Sequence, residues 1–200
     1  MTAQTWEGLG FGFAHSVAYD GVCVIAKELA TVNGELSAFF GADEANINSD
    51  AFHRALLNES KIDKYLAASS ANSTAMDAGY ARGYNHFIET RAAELPASCL
   101  GADWVKPIDE RDLARLAIGV GTRHGPGRVT TQIATAQPNQ TVAGLEPLDL
   151  FVDVEKIGSN AYAFGSELTE KGRRILLGDP QCAWRGSTPR LAAGLTLPSA

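Results

Sequence analysis

The sequence predicts an α+β chain in which a long helical block gives way to the start of a small sheet. Three observations carry this. From about Trp6 to Ile118, apolar residues recur three and four apart within Ala-rich stretches, the period of an amphipathic helix. From Gly119 to Gly127, and again from Thr130 to Gly144, that period fades into Gly, Pro and polar residues. After Leu148 the period becomes two, as strands require.

The elements follow in order. The glycines of Gly8-Leu-Gly-Phe-Gly12 have no Gly-Lys-Ser/Thr after them and lack dinucleotide-site spacing, so they read as places where helices approach closely rather than as a phosphate loop. Asp43-Glu44 and Asp109-Glu110 stand at expected helix starts, where the helix dipole favours negative charge. Ser49-Asp50 reads as a cap before Ala51–Leu57, and Pro107 as the residue that precedes a helix through Leu116. Met76, Tyr80, Tyr84, Phe87 and Ile88 form one core-facing stripe. Asn160–Phe164 and Arg174–Leu177 read as two strands joined by a turn around Glu170-Lys-Gly172, with a further strand expected to begin at Leu195. The expected regions are 1–124 helical, 125–158 a loop or spacer, and 159–200 the first strands of a sheet.

Composition narrows the function classes. A chain of 200 residues with 45% hydrophobic and 20% charged content has enough apolar material to bury a core. A net charge of -6 with no basic stripe argues against a nucleic-acid partner. Apolar runs such as Val22–Ala26 are short and flanked by Lys27 and Glu28, so no membrane partner is expected. The opening residues lack the basic start and apolar core of a signal peptide. Cys23, Cys99 and Cys182 form no Cys-x-x-Cys pair and have no His at ligand spacing, so no metal or other cofactor is expected. They are three reduced thiols, or one disulfide and one thiol left over. His15, His53, His86 and His124 sit in separate segments and read as surface or packing residues.

One short stretch stands apart. Ser159-Asn-Ala-Tyr-Ala-Phe-Gly-Ser166, followed by Ile175-Leu-Leu-Gly-Asp-Pro-Gln-Cys-Ala-Trp184, resembles the start of the beta subunit of the penicillin acylase family. Gly8–Ala14, Thr31-Val-Asn-Gly-Glu35, Phe39-Phe-Gly41, Gly79-Tyr-Ala-Arg-Gly-Tyr-Asn-His-Phe87 and Ser98–Trp104 resemble its alpha subunit, in the branch of acyl-homoserine-lactone acylases and aculeacin-type acylases. The resemblance implies an N-terminal nucleophile hydrolase with an αββα four-layer sandwich, of which this chain is an alpha subunit plus the start of beta, mostly helical by itself.

What the resemblance implies chemically is cleavage between Gly158 and Ser159. The Ser159 hydroxyl attacks the preceding carbonyl, and the freed Ser159 amine then serves as base for the same residue's hydroxyl. Gln181 would orient the nucleophile, as in the penicillin G acylases. Cys182 and Trp184 would lie at the acyl pocket, with Trp184 equally readable as core. The substrates implied are N-acyl compounds: beta-lactam amides, acyl-homoserine lactones or lipopeptides. The partner implied is the remainder of the beta subunit, the 200 residues alone being expected to be inactive. The branch also implies that Cys23 and Cys99 are neighbours able to form a disulfide, leaving Cys182 free, in a periplasmic or secreted protein. The alternative is a truncated, non-catalytic binding or scaffolding module of the same ancestry.

Overall fold

Helix α1 (Trp6–Val32) starts where the Thr5 hydroxyl accepts the Gly8 N–H at 3.0 Å, and it is bent where Gly21 leaves helical backbone geometry. The computed structural model describes residues 1–123, 125–137, 158–181 and 195–197. The chain forms two compact units, Met1–Gln140 with Ala193–Ala200, and Thr141–Ala192.

In the first unit, α1 is followed by α2 (Leu36–Phe40), α3 (Glu44–Leu56), α4 (Glu59–Ala68), α5 (Ala71–Thr90), α6 (Glu110–Thr122) and α7 (Thr130–Ala134). Most starts are fastened by a short polar side chain: Asp43 accepts the Asn46 N–H, Asn58 that of Lys61 and Ser70 that of Ser73. Helix α6 carries a full capping box between Asp109 and Asp112.

The contact between α1 and α5 is close enough to be backbone on backbone. A Cβ at Gly79 would stand 1.9 Å from the Glu7 carbonyl oxygen, one at Gly83 2.2 Å from that of Phe11, and one at Gly10 2.0 Å from that of Met76. Glu7 meets Gly79 and Phe11 meets Gly83, so the two helices run parallel, in step every four residues. The expectation that the early glycines serve close helix approach therefore applies to Gly10. Around this seam the core gathers Ala14, Ala18, Val22, Ala81, Tyr84 and Phe87. A second cluster, Val32, Leu57, Ile62 and Ala114, joins α4 and α6 to the end of α1.

Past the seam, Cys23 on α1 is bonded to the buried Cys99, with α-carbons 5.6 Å apart. Asn85 on α5 holds the approach to α6 at two points, donating to the Ile108 carbonyl at 2.9 Å and accepting the Ile108 N–H at 2.8 Å.

Several expectations need correction. Ser49-Asp50 is not a helix start, because α3 begins six residues earlier behind Asp43. Asp50 is instead buried and accepts the Leu36 N–H, the Ser37 N–H and the Ser37 hydroxyl, so it caps α2 from a different helix. The loop expected from Gly119 is helical through Thr122, and α7 occupies part of the expected spacer. Gly119 and Gly121 weaken the sequence signal, yet Gly119 lets α6 approach Val32, whose Cγ1 would be 2.7 Å from an added Cβ. The apolar runs are not all short: α1 has 27 residues and contains an 18-residue stretch of mean hydropathy 1.4, long and apolar enough by length and composition to cross a membrane, although one face packs on α5. The expected strand at Leu195 is a single parallel bridge from Thr196 to Thr2. His124 and residues 138–157 of the expected spacer lie outside the described residues.

Near the end of α3, the His53 Nδ1 stands 2.8 Å from the Ser49 carbonyl, which can only accept, so that nitrogen carries the proton. Burial, the largest influence, lowers the His53 pKa below its ordinary value, opposed by the Ser49 carbonyl and the Asp50 charge. A lowered pKa in the folded state means that the unfolded chain takes up a proton first as pH falls.

Three outcomes are expected. Gly79→Ala should destabilise the chain by about 3 kcal/mol, as forced overpacking does, whereas Gly12→Ala, whose Cβ meets only the Met1 Sδ at 3.8 Å, should be neutral or mildly stabilising. Denaturant melts of the two variants check this. Thiol titration should count one reactive cysteine per chain before reduction and three after reduction in denaturant, with reduction costing about 2–4 kcal/mol of stability. Thermal stability should fall as pH drops through about 6.5, the unfolded histidine value, and His53→Gln should flatten that acid limb in melts across the range.

Candidate active-site strand pair

In the second unit, β1 (Gly158–Phe164) and β2 (Ile175–Gln181) form an antiparallel pair. Their connection holds a 3₁₀ turn over Ser166–Leu168 and a tight turn in which the Gly172 N–H donates to the Thr169 carbonyl at 3.1 Å. Gly172 has φ of 62°, the left-handed region where glycine carries no Cβ penalty. The turn expected around Glu170-Lys-Gly172 is thus present.

Both strands are longer than their sequence suggests. Gly158 and Ser159 belong to β1, and Gly178–Gln181 extend β2 past Leu177. Gly and Pro weaken the strand signal in sequence, yet at the end of a two-stranded ladder with open edges they are tolerated. The register makes Gly158 the partner of Gln181, and Ser159 that of Pro180. Two candidate residues far apart in sequence thereby stand one rung from each other. Pro180 has no N–H, so the ladder has one donor fewer opposite Ser159.

The Gly158–Ser159 peptide is the first of β1. A break there removes only the Gly158–Gln181 rung, and Ser159–Phe164 stay paired. Farther along, Tyr162 faces Leu177 and Phe164 faces Ile175, placing four apolar side chains on one face of the hairpin. All four are exposed, Tyr162 by 58% and Leu177 by 56%, so among the described residues this apolar face is uncovered. Cys182 and Trp184 lie outside the described residues.

The first unit has a cleft of about 490 Å³, lined by residues including Asn33, Glu35, His53, Arg54, Lys106 and Arg115. Its charges are largely matched: Lys106 bonds Glu35 at 2.7 Å, Arg115 pairs with Glu59 and Asp112, and the Arg54 Nε and Nη2 both donate to the Gly34 carbonyl. No sequence motif pointed to it, because its lining comes from five separate stretches. Among the described residues, no group of three or more His, Cys, Asp or Glu is placed to hold a metal ion.

The sequence matches the family described as penicillin amidase over residues 1–200. It is 34% identical to the acyl-homoserine lactone acylase PvdQ of Pseudomonas putida over 99% of this chain and 28% of that protein. It is 31% identical to the aculeacin-A acylase of Actinoplanes utahensis over 94% of this chain and 26% of that one. The chain thus spans little more than a quarter of the length of these relatives. In three dimensions it resembles the thermostable penicillin G acylase of Alcaligenes faecalis, with a TM-score of 0.53 at 20% identity, covering 72% of this chain and 90% of that one. The helical fold is therefore shared, and with a match that runs from the first residue to the last, the chain belongs to the penicillin amidase family.

Proposed function

We propose that this chain is the opening portion of an amide hydrolase for N-acyl compounds, with Ser159 as its nucleophile. The observation that carries the proposal is the similarity to two acylases over 99% and 94% of the chain, taken together with the place of the Gly158–Ser159 peptide at the first rung of β1.

In the precursor, the Ser159 hydroxyl attacks the Gly158 carbonyl carbon. The C–N bond breaks as the C–O bond forms, the hydroxyl proton passes to the departing nitrogen, and water then opens the ester to a Gly158 carboxylate and a free Ser159. Glycine at 158 puts no side chain in the path of that attack. The exposed amine, with a reference pKa of about 7.7–8.0, is unprotonated in useful amount near neutral pH and can take the proton of its own hydroxyl. Ser159 would then attack a substrate amide, release the amine, and pass the acyl group to water. Gln181, on the adjacent rung, orients that end of β1, and Cys182 and Trp184 contribute to the acyl pocket.

The substrates are N-acyl amides of the kind named by the relatives, acyl-homoserine lactones or lipopeptides such as aculeacin, with beta-lactam amides as a further class. The partner is the rest of the beta subunit, whose strands and helices would complete a four-layer αββα sandwich and cover the apolar face of Tyr162, Phe164, Ile175 and Leu177. A periplasmic or secreted location is consistent with the Cys23–Cys99 disulfide, since such bonds persist in oxidising compartments.

The protein that carries this chain, expressed at full length, should appear in mass spectra as two polypeptides cut between Gly158 and Ser159. Ser159→Ala should leave it uncut and lower hydrolysis of long-chain acyl amides by more than about a thousandfold, as loss of a nucleophile does. A folded wild-type protein that stays uncut, or an Ala variant that keeps its turnover, would overturn the proposal.

A further inference from the structure

Helix α1 is apolar on more sides than its neighbours cover. Of an 18-residue stretch with mean hydropathy 1.4, only 33% is buried. Gly10, Ala14, Ala18 and Val22 make up the buried side, with Gly10 against α5. Trp6, Phe13 and Val17, seven and four residues apart, share a different line along the helix, and Val24 follows past the bend at Gly21. Trp6 is 41% exposed and Val24 42%, while Phe13 and Val17 are half-buried. Phe13 also meets Tyr80 of α5 edge-on, ring centres 6.1 Å apart. A helix apolar all round belongs inside a larger protein or in a membrane. The seam decides against the membrane, because α5 lies backbone to backbone on α1 while carrying Asp77, Arg82 and Glu89, and Arg82 pairs with Glu7 at 2.8 Å.

The course of the chain at residues 195–197 says what covers that line. Thr196 forms a parallel bridge with Thr2: the Ala3 N–H donates to the Thr196 carbonyl at 3.2 Å, and the Thr196 N–H to the Met1 carbonyl at 3.0 Å. The bridge lies just ahead of Thr5, the cap of α1, so the chain leaves this unit beside Trp6, where the exposed apolar line begins. This chain spans 28% and 26% of its two acylase relatives, which leaves ample protein to lie there. We propose that the part of the full-length protein following residue 200 docks on α1, entering beside Thr2 and covering Trp6, Phe13, Val17 and Val24. The inference rests on reading the chain as the opening portion of a longer acylase, and it adds the place on the first unit where the remainder sits. The docked surface is apolar, to match a line without charge from Trp6 to Val17, and the exposed Asp20 and Lys27 on either side of Val24 form its polar rim.

Hydroxyl-radical footprinting read by mass spectrometry, on the full-length protein and on the 200-residue chain at equal radical dose, tests the surface. Trp6 and Phe13 should oxidise about five times more slowly in the full-length protein, as side chains taken out of water do. Tyr84, fully buried here, should stay unreactive in both, which shows that the shorter chain is folded. A second measurement uses the full-length protein alone: Val24→Asp should lower its melting temperature by several degrees, because the charge then falls inside a dry contact. Equal oxidation in the two proteins, or an unchanged melting temperature in Val24→Asp, overturns the proposal. So does protection that appears only as a second copy associates, seen as a concentration-dependent mass in light scattering, or only when anionic lipid vesicles are added. Neither readout needs cleavage or turnover. An uncut protein that protects Trp6 therefore upholds the docking and sinks the Ser159 reading, while a cut, active protein with Trp6 still reactive does the reverse.

Discussion

The first unit depends on the backbone-to-backbone contact of α1 with α5. Without side chains at Gly10, Gly79 and Gly83, the two helices approach until carbonyl oxygens stand where a Cβ would otherwise be. Such proximity multiplies dispersion contacts along both helices and seals Ala14, Ala18, Ala81 and Tyr84 between them. It also sets the parallel course of the pair, and a parallel pair joined by intervening chain demands a long return. Helices α2, α3 and α4 are that return. Beyond the seam, the Cys23–Cys99 bond makes the same pairing covalent.

The surrounding helices are held by polar devices that act between elements more than within them. Asp50 spends its carboxylate on the start of α2, Asn85 clamps Ile108 in front of α6, and Arg54 reaches the Gly34 carbonyl at the end of α1. Each satisfies backbone groups that a turn or helix end leaves open, which costs more when buried than the bond returns when exposed. The exposed Arg111 and Arg115 pairs with Glu59 add little by comparison, since water screens them.

The hairpin of the second unit has the opposite character. Among the described residues, its two strands bury little, and its apolar face is open on a ladder with two unpaired edges. A two-stranded hairpin is marginal in water without further strands or a covering layer. That deficit fits a segment whose relatives continue for nearly three quarters of their length beyond what this chain spans. The nucleophile proposed here, Ser159, therefore stands on a hairpin that buries little of its own apolar surface.

The sequence by itself determined the helical block, the switch to period two, the acidic helix starts at Asp43 and Asp109, and the turn at Gly172, because each rests on local periodicity or on a residue type with one dominant local use. Family membership was legible too, in ordered motifs such as Gly79–Phe87 and Ser159–Ser166. What the tertiary structure decided is non-local. Ser49-Asp50 looked like a cap to the helix that follows, and it became a cap only for a different helix. Gly119 looked like a loop residue until Val32 was found against it. Strand β1 reached back over Gly158 and Ser159 because a partner, Pro180 to Gln181, was there to pair with them. The rings of His15 and His86, 6.0 Å apart between α1 and α5, became neighbours for the same physical reason: contacts between distant segments are set by packing and pairing, which no window of sequence contains.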